Sequence, residues 1–299
     1  MTVFERGWLS SNNVLFHGHR GSAATLVDSS HCLHAEQTIA LVRTALDGEP
    51  LGSIVNTHLH SDHCGGNAAL QRVFGVPVAI PAGSWEAVAK WDEQVLTFTD
   101  VAQRIERFEA QQSLAEGDEL QLGARRWQVI AAPGHDPDAL MLFEPQHGVL
   151  ISGDALWQNG FGVVFPELDG KPGFDDVASV LDRIADLPVR WVIPGHGSPF
   201  DDVGAALARA RSRLAAFRAD PEKHARHGAK VLLKYHLMEE QAQSVDDLHR
   251  WADAAPLLHR VWLRLQQPAP SVHDWCDELL ADLARSGAAR LRDGIVSNA

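Results

Sequence analysis

Cysteine is scarce in this chain of 299 residues, which has three: Cys32, Cys64 and Cys276. An odd and sparse set builds no disulfide framework, and reducing surroundings are the simplest reading. Long apolar runs are missing too. No stretch approaches the roughly 20 uninterrupted apolar residues of a membrane-spanning helix. The opening segment MTVFERGWLSSNNVLF carries Glu5 and Arg6 where an export signal has its apolar centre. No export signal is expected, and a cytoplasmic location is. Positive charge is in deficit, with 26 Lys and Arg against 39 Asp and Glu and a formal net charge of -13. Such a surface keeps a protein soluble and works against a nucleic-acid partner, whose phosphates it repels. Internal repeats and low-complexity tracts are also absent.

What the sequence does have is 45% hydrophobic and 22% charged residues, enough apolar matter for a sizeable core. The length suits one large layered domain with a small appendage. Residues 1–201 are rich in glycine and in short apolar runs: ATLVDS, LGSIVNT, VPVAIP, RRWQVIAAPG, HGVLISGD and RWVIPGHG. Each has strand length and ends on a turn-forming residue. Between them, three- and four-residue apolar spacing predicts helices over 35–46, 66–74, 81–95 and 175–187. Strands alternating with helices predict an α/β layered unit. From about Asp201 the character changes to helical patterns with Ser or Asp at capping positions. A small, all-helical appendage is expected over 202–299.

The segment IVNTHLHSDHCGGN concentrates His58, His60, Asp62 and His63 at the end of an apolar run. Residues two apart in extended chain point the same way, so His58 and His60 can face one ion together. Asp62 and His63 follow where the chain turns, within reach of a second ion. Gly65 and Gly66 let the backbone pass close by. Three later segments repeat one format, an apolar strand followed by glycine and a metal-type ligand. They offer His135 in AAPGHD, Asp154 in LISGDAL and His196 in VIPGHG. Imidazole and carboxylate suit zinc, and also iron or manganese.

Taken together, these residues resemble the metallo-β-lactamase superfamily over roughly residues 10–200. The family pattern H-x-H-x-D-H stands as His58, His60, Asp62 and His63, with the later ligands as His135, Asp154 and His196. The resemblance implies a four-layer αββα sandwich, two β-sheets with helices on both outer faces. It also implies two metal ions, expected to be Zn2+. One would be held by His58, His60 and His135, the other by Asp62, His63 and His196, with Asp154 bridging them. Two such ions bring a water towards a pKa of about 7 and polarise the bond to be cleaved. Asp62 and Asp154 are then the candidate catalytic carboxylates, Asp62 through orienting the hydroxide. The competing reading of the cluster is a structural zinc site, but such sites are usually rich in cysteine.

Other residues carry plainer expectations. His17 and His19 in FHGHRGS mimic a ligand pair and are placed near the site rim. His31, His34 and His147 are read as surface or loop histidines. His224, His227, His236, His249, His259 and His273 lie in helical patterns without the pairing a metal site needs, and Cys64 is read as packing. In LWQNGFGVVFPELDGKPGF, Trp157, Phe161, Phe165 and Phe174 form either a pocket wall or a packed surface loop. Arg209, Arg211, Arg213 and Arg218 are read as a solvated helix face.

Four functions compete, because fold alone does not settle chemistry. The first is a hydrolase of esters, thioesters or lactones resembling glyoxalase II. Its third ligand loop reads PGHDPDAL, where that group has a Thr-Pro-Gly-His-Thr-like run. The second is a β-lactamase, against which Asp154 and the lack of an export signal count. The third is a nuclease or phosphodiesterase, whose relatives pair this domain with a winged-helix-like module. The fourth is a non-catalytic ligand sensor, with an iron persulfide dioxygenase as a variant; the full second-metal set favours a dinuclear hydrolase over both. A small-molecule substrate is expected, no membrane partner, and a homodimer is compatible with the helical appendage.

Overall fold

The computed structural model describes residues 1–265 and 269–299. Its first sheet is built from β1 (Thr2–Phe4), β2 (Asn13–Phe16), β3 (Ala24–Val27), β4 (Leu51–Val55), β5 (Val78–Pro81) and β6 (Gln112–Leu114), in that spatial order. β1 to β3 run antiparallel, and β3 to β6 run parallel. The parallel crossovers carry α1 (Ala35–Leu46), then α2 (Ser61–Cys64) and α3 (Asn67–Phe74), then α4 (Trp85–Lys90). The second sheet contains β7 (Glu119–Leu122), β8 (Arg125–Ala131), β9 (Leu140–Glu144), β10 (Val149–Gly153) and β11 (Trp191–Pro194). It is antiparallel except between β10 and β11, which α5 (Phe165–Leu168) and α6 (Phe174–Asp186) connect in parallel.

Side-chain alternation sorts each strand into two cores. In β9, Leu140 and Leu142 face the first sheet, whereas Met141 and Phe143 face helices. In β2, Val14 and Phe16 face the second sheet while Leu15 faces α1 and α3. Both faces of both sheets are thus buried, which is why these strands read as continuous apolar runs instead of alternating ones. Helices α1, α3 and α4 cover the outside of the first sheet; α6 and α7 (Val203–Ala219) cover the second. This is the expected αββα sandwich.

Two expectations are corrected here. The helix read over 81–95 is only α4, because Trp91 turns left-handed and packs its ring against Phe98 and Phe108. The appendage is not all-helical. After α8 (Pro221–Glu240) come β12 (Ala242–Ser244), α9 (Val245–Asp253), α10 (Pro256–Arg264), α11 (Val272–Arg285), β13 (Ala289–Arg292) and β14 (Ile295–Asn298). The three strands form a sheet in the order β12-β14-β13, a winged-helix-like arrangement. The β13–β14 turn is Asp293-Gly294, both at positive φ, a two-residue hairpin signature that was present in the sequence. Asp220 ends α7 and caps α8, its side chain accepting from Lys223 N, with Pro221 at the first helical position. A division by shared core falls at Asp220, since α7 belongs to the sandwich core; the expected division at 201 falls just before α7.

The C-terminal unit is docked, not tethered. Its core takes in Val101, Val163 and Leu168 from the sandwich. Arg260 on α10 pairs with Asp100 and Asp169, each at 2.8 Å. Deeper in, Glu239 of α8 accepts from His31 Nε2 at 3.0 Å, with both side chains almost wholly buried. His31 is therefore no surface histidine. Burial works to lower its pKa, but the partners Cys32 and Glu239 outweigh that and raise it to about 9. A raised histidine pKa adds stability that is fully present below the ordinary value near 6.5 and lost as pH rises through 9. The unfolding free energy is expected to fall between pH 6.5 and 9, and Glu239→Gln to reduce that slope while costing about 3 kcal/mol. Denaturant titration across this pH window checks it. An unchanged slope in the variant would show that the pair is not the titrating element.

Candidate metal centre

The seven expected residues come from strand ends. His58 and His60 follow β4, and Asp62 and His63 lie on α2. His135 follows β8, while Asp154 and His196 follow β10 and β11. The layered sheets bring these ends together, so residues up to 138 positions apart in sequence meet. Three overlapping groups form: His58, His60 and His135; His58, His63 and Asp154; Asp62, His63 and His196. Within each group the ligand atoms lie within 4.8 Å of one another. His60 Nδ1 is 2.7 Å from His135 Nε2, and His196 Nε2 is 2.9 Å from Asp62 Oδ2. His63 Nε2 is 3.4 Å from Asp154 Oδ1, and His135 Nε2 is 3.3 Å from Asp154 Oδ2.

The other ring nitrogens are held from behind. Asp28, at the end of β3, accepts from His63 Nδ1 at 2.8 Å and from the Thr57 backbone and hydroxyl, each at 2.8 Å. The Thr57 hydroxyl in turn accepts from His58 Nδ1 at 3.1 Å. His135 Nδ1 donates to Val163 O at 2.6 Å. Each of these rings thereby presents Nε2 inward, the usual way a protein fixes a ligating imidazole. His58 Nε2 is buried with no hydrogen-bond partner among the described residues, and His63 Nε2 makes no hydrogen bond there either, facing only the Asp154 and Asp62 carboxylates at 3.4 and 3.8 Å. An unpaired buried polar atom costs about 1–3 kcal/mol, a cost that a bound cation removes. This donor set fits a pair of divalent metal ions.

The protonation states agree. Burial first, and then neighbouring imidazolium charge, push His58 down and His60 down to about 3; burial also lowers His135. These rings keep a free lone pair at neutral pH. Burial works to raise Asp62 and Asp154, but facing histidines outweigh it, holding Asp62 at about 2 and Asp154 well below the usual range. Both are carboxylates. Burial opposes charge on His63 as well, yet Asp28, Asp154 and Asp62 surround it and raise it well above the ordinary value. That proton sits where metal binding would displace it.

Some contributors carry no motif in the sequence. Asp28 closes ATLVDS and reads as a turn residue until its three donors are seen. Asn12 donates through Nδ2 to Pro194 O at 2.9 Å and Gly197 O at 2.7 Å, clamping the loop of His196. In that loop a Cβ on Gly195 would lie 2.2 Å from Asp154 Oδ1, so only glycine lets His196 approach. Trp8 is 59% exposed and stacks on His196, with ring centroids 5.3 Å apart and planes 10° apart. Burial raises Asp136, 3.7 Å behind His60, to about 6. The aromatic loop divides. Trp157 meets His196 and Phe165 meets His60 and His135, while Phe161 and Phe174 sink into the core.

Other expectations are redirected. His17 and His19 are not at the rim. β2 runs antiparallel to β3, so its end lies at the start of β3 and β4, and His17 pairs with Glu49 there at 3.0 Å. Gly65 and Gly66 pass against Ser61, Ser29 and the His31–Cys32 backbone. None of the C-terminal histidines joins a candidate metal group among the described residues. Cys64 is buried in the core, as a packing residue is.

A family model described as the Metallo-beta-lactamase superfamily matches residues 6–196. The chain is 29% identical over 189 residues to a hydroxyacylglutathione hydrolase of Thermosynechococcus vestitus, covering 63% of this chain and 64% of that protein. It is 30% identical over 227 residues to a hydroxyacylglutathione hydrolase of Anaeromyxobacter dehalogenans, covering 73% and 76%. The first match spans a little under two thirds of the relative's length. A solved metallo-beta-lactamase family protein from Thermus thermophilus shares the fold at TM-score 0.54 and 21% identity, covering 97% of this chain and 94% of that one, C-terminal unit included. Because the family match takes in all seven converging side chains, the chain belongs to the metallo-beta-lactamase superfamily.

Proposed function

We propose that this protein is a dinuclear metal hydrolase cleaving a thioester or ester of a small molecule. The observation that carries this is the set of three overlapping His and Asp groups with unpartnered nitrogens turned inward. His58, His60 and His135 would hold one ion, Asp62, His63 and His196 the other, and Asp154 would stand between them. Zinc is the ion we propose, iron or manganese being served by the same donors. Two bound cations supply a hydroxide at neutral pH and polarise the acyl carbonyl. The protein's own part is to orient. Asp28 fixes His63 and, through Thr57, His58, while ionised Asp62 stays available to align a water. Trp8, Trp157 and Phe165 line the approach with apolar surface that receives an acyl chain and sheds water. The thioester is favoured because the two relatives compared by sequence above, at 29% and 30% identity, are hydroxyacylglutathione hydrolases. Three free cysteines fit a reducing cytoplasm as the place of work, and no described helix is long and apolar enough to cross a membrane.

Initial rates of zinc-loaded protein on thioesters with lactones, and separately on phosphodiesters, test the proposal. Turnover is expected on the carbonyl panel alone; turnover on phosphodiesters alone would establish the nuclease reading instead. Asp154→Ala should lose metal and at least about 100-fold in rate. Full metal content and full rate in that variant would refute the site. Asp28→Asn should weaken metal binding about 10- to 100-fold in chelator competition, because it removes the charge behind His63. Unchanged affinity would reduce Asp28 to a packing role. Trp8→Ala should raise KM several-fold at constant kcat, as expected for a side chain that binds ground and transition states alike. A fall in kcat with KM unchanged would contradict its place in the wall.

A further inference from the structure

The acidic protein has a cleft lined by cations. Helices α7 and α8 diverge from Asp220 and leave between them a space of about 580 Å³. Arg209, Arg213, Lys223, Arg226, His227 and Lys230 line it. That volume is in the range of small-molecule sites. Five cationic side chains around one concavity is a large excess in a chain of net charge -13.

The pairing of these groups is incomplete. Arg226 reaches Asp282 on α11 at 3.0 Å and Glu278 at 3.8 Å, and Lys230 reaches Asp282 at 3.7 Å. Arg209, Arg213 and Lys223 have no carboxylate within 4.0 Å among the described residues. Arg213 stands out because it is half-buried. Its guanidinium lies 5.8 Å from the Phe161 ring and 5.4 Å from the Phe217 ring, and Nη2 donates to His227 Nε2 at 2.7 Å. Burial, with Arg213 and Lys230 nearby, lowers His227 to about 4, so this histidine is neutral and adds no charge of its own. A partly desolvated guanidinium without a counter-charge is costly, and a bound oxyanion relieves it. The neighbouring arginines show the contrast. Arg211 and Arg218 point the other way and pair with Asp182 and Asp175 of α6. The run of four arginines is therefore not one solvated face.

We propose that the α7–α8 cleft is a binding site, separate from the metal centre, for a small oxyanion of the phosphate-ester class carrying two or more negative charges. A compact ligand is favoured over nucleic acid because the cleft is bounded, with Asp282 and Glu278 flanking it and an acidic total surface around it. Arg209 and Arg213 also support the site loop. Arg209 Nε donates to Gln158 O at 2.7 Å, and Arg213 packs on Gly160. Lys223 carries no such duty, since its side chain makes no hydrogen bond or ion pair among the described residues.

The test is calorimetric titration of the full, metal-loaded chain with inorganic pyrophosphate up to about 1 mM. Saturable one-to-one binding is expected, weakened about tenfold by Lys223→Gln and by Arg209→Gln and retained in Asp154→Ala. Circular dichroism confirms that each variant is folded. Absence of saturable binding overturns the proposal. So does binding that survives Lys223→Gln and Arg209→Gln but disappears in Asp154→Ala, which would place the anion on the metals. A single-stranded oligonucleotide that binds more tightly than pyrophosphate, and is lost in the same lysine and arginine variants, would replace the small-ligand site with a nucleic-acid surface.

Discussion

Asp28 accepts three hydrogen bonds at the end of β3, from the Thr57 backbone, the Thr57 hydroxyl and His63 Nδ1. It is wholly buried and holds a left-handed backbone, a conformation that aspartate tolerates better than most residues. Those bonds lock two imidazoles, orient their free nitrogens inward and bring a negative charge to the rear of the cluster. The carboxylates of Asp62 and Asp154 face the same rings from the front. The centre is thus a set of buried charges and lone pairs compensated by one another and left short of positive charge in the middle. A buried arrangement of this kind is costly unless something cationic completes it, and the surrounding structure is arranged to hold the donors apart for that purpose.

The sandwich supplies the rigidity. Each sheet is buried on both faces, so a shift of one strand by a single residue would send its apolar set to the wrong layer. Register is therefore tightly fixed, and the loops that leave the strand ends begin from fixed points. This explains why His58, His135, Asp154 and His196 converge although they lie on four separate loops. Gly195 shows how little slack remains, since one added carbon would strike Asp154.

The C-terminal unit reaches the same loops from the other side. Tyr235, the chain's single tyrosine, shares a hydrogen bond of 2.9 Å with Ser61, which sits between His60 and Asp62. His224 accepts from Val164 N at 3.3 Å, beside the loop that carries Phe165. The unit therefore braces both α2, which carries the candidate ligands Asp62 and His63, and the loop of Phe165, while contributing no candidate ligand among the described residues. The anion cleft proposed between α7 and α8 lies where this unit meets the sandwich.

The six apolar runs became strands where expected, and α1 ran over 35–46 as its periodicity predicted, because short-range patterning decides such elements. The seven candidate ligands were legible because imidazole and carboxylate clusters are rare outside sites that use them, and their spacing after strand and glycine survives in one dimension. Other features depended on contacts that no local pattern encodes. Asp28 looked like an ordinary turn residue until the parallel pairing of β3 with β4 set it behind His63 and Thr57. His31 looked exposed until α8, some 200 residues later, buried it against Glu239. The C-terminal strands were hidden because a three- or four-residue strand is too short to show a period, leaving only the Asp293-Gly294 turn as a signal. Chemistry thus follows from residue identity and local spacing, while the second layer of support around it and the cationic cleft arise only when long-range packing decides which charges are left without a partner.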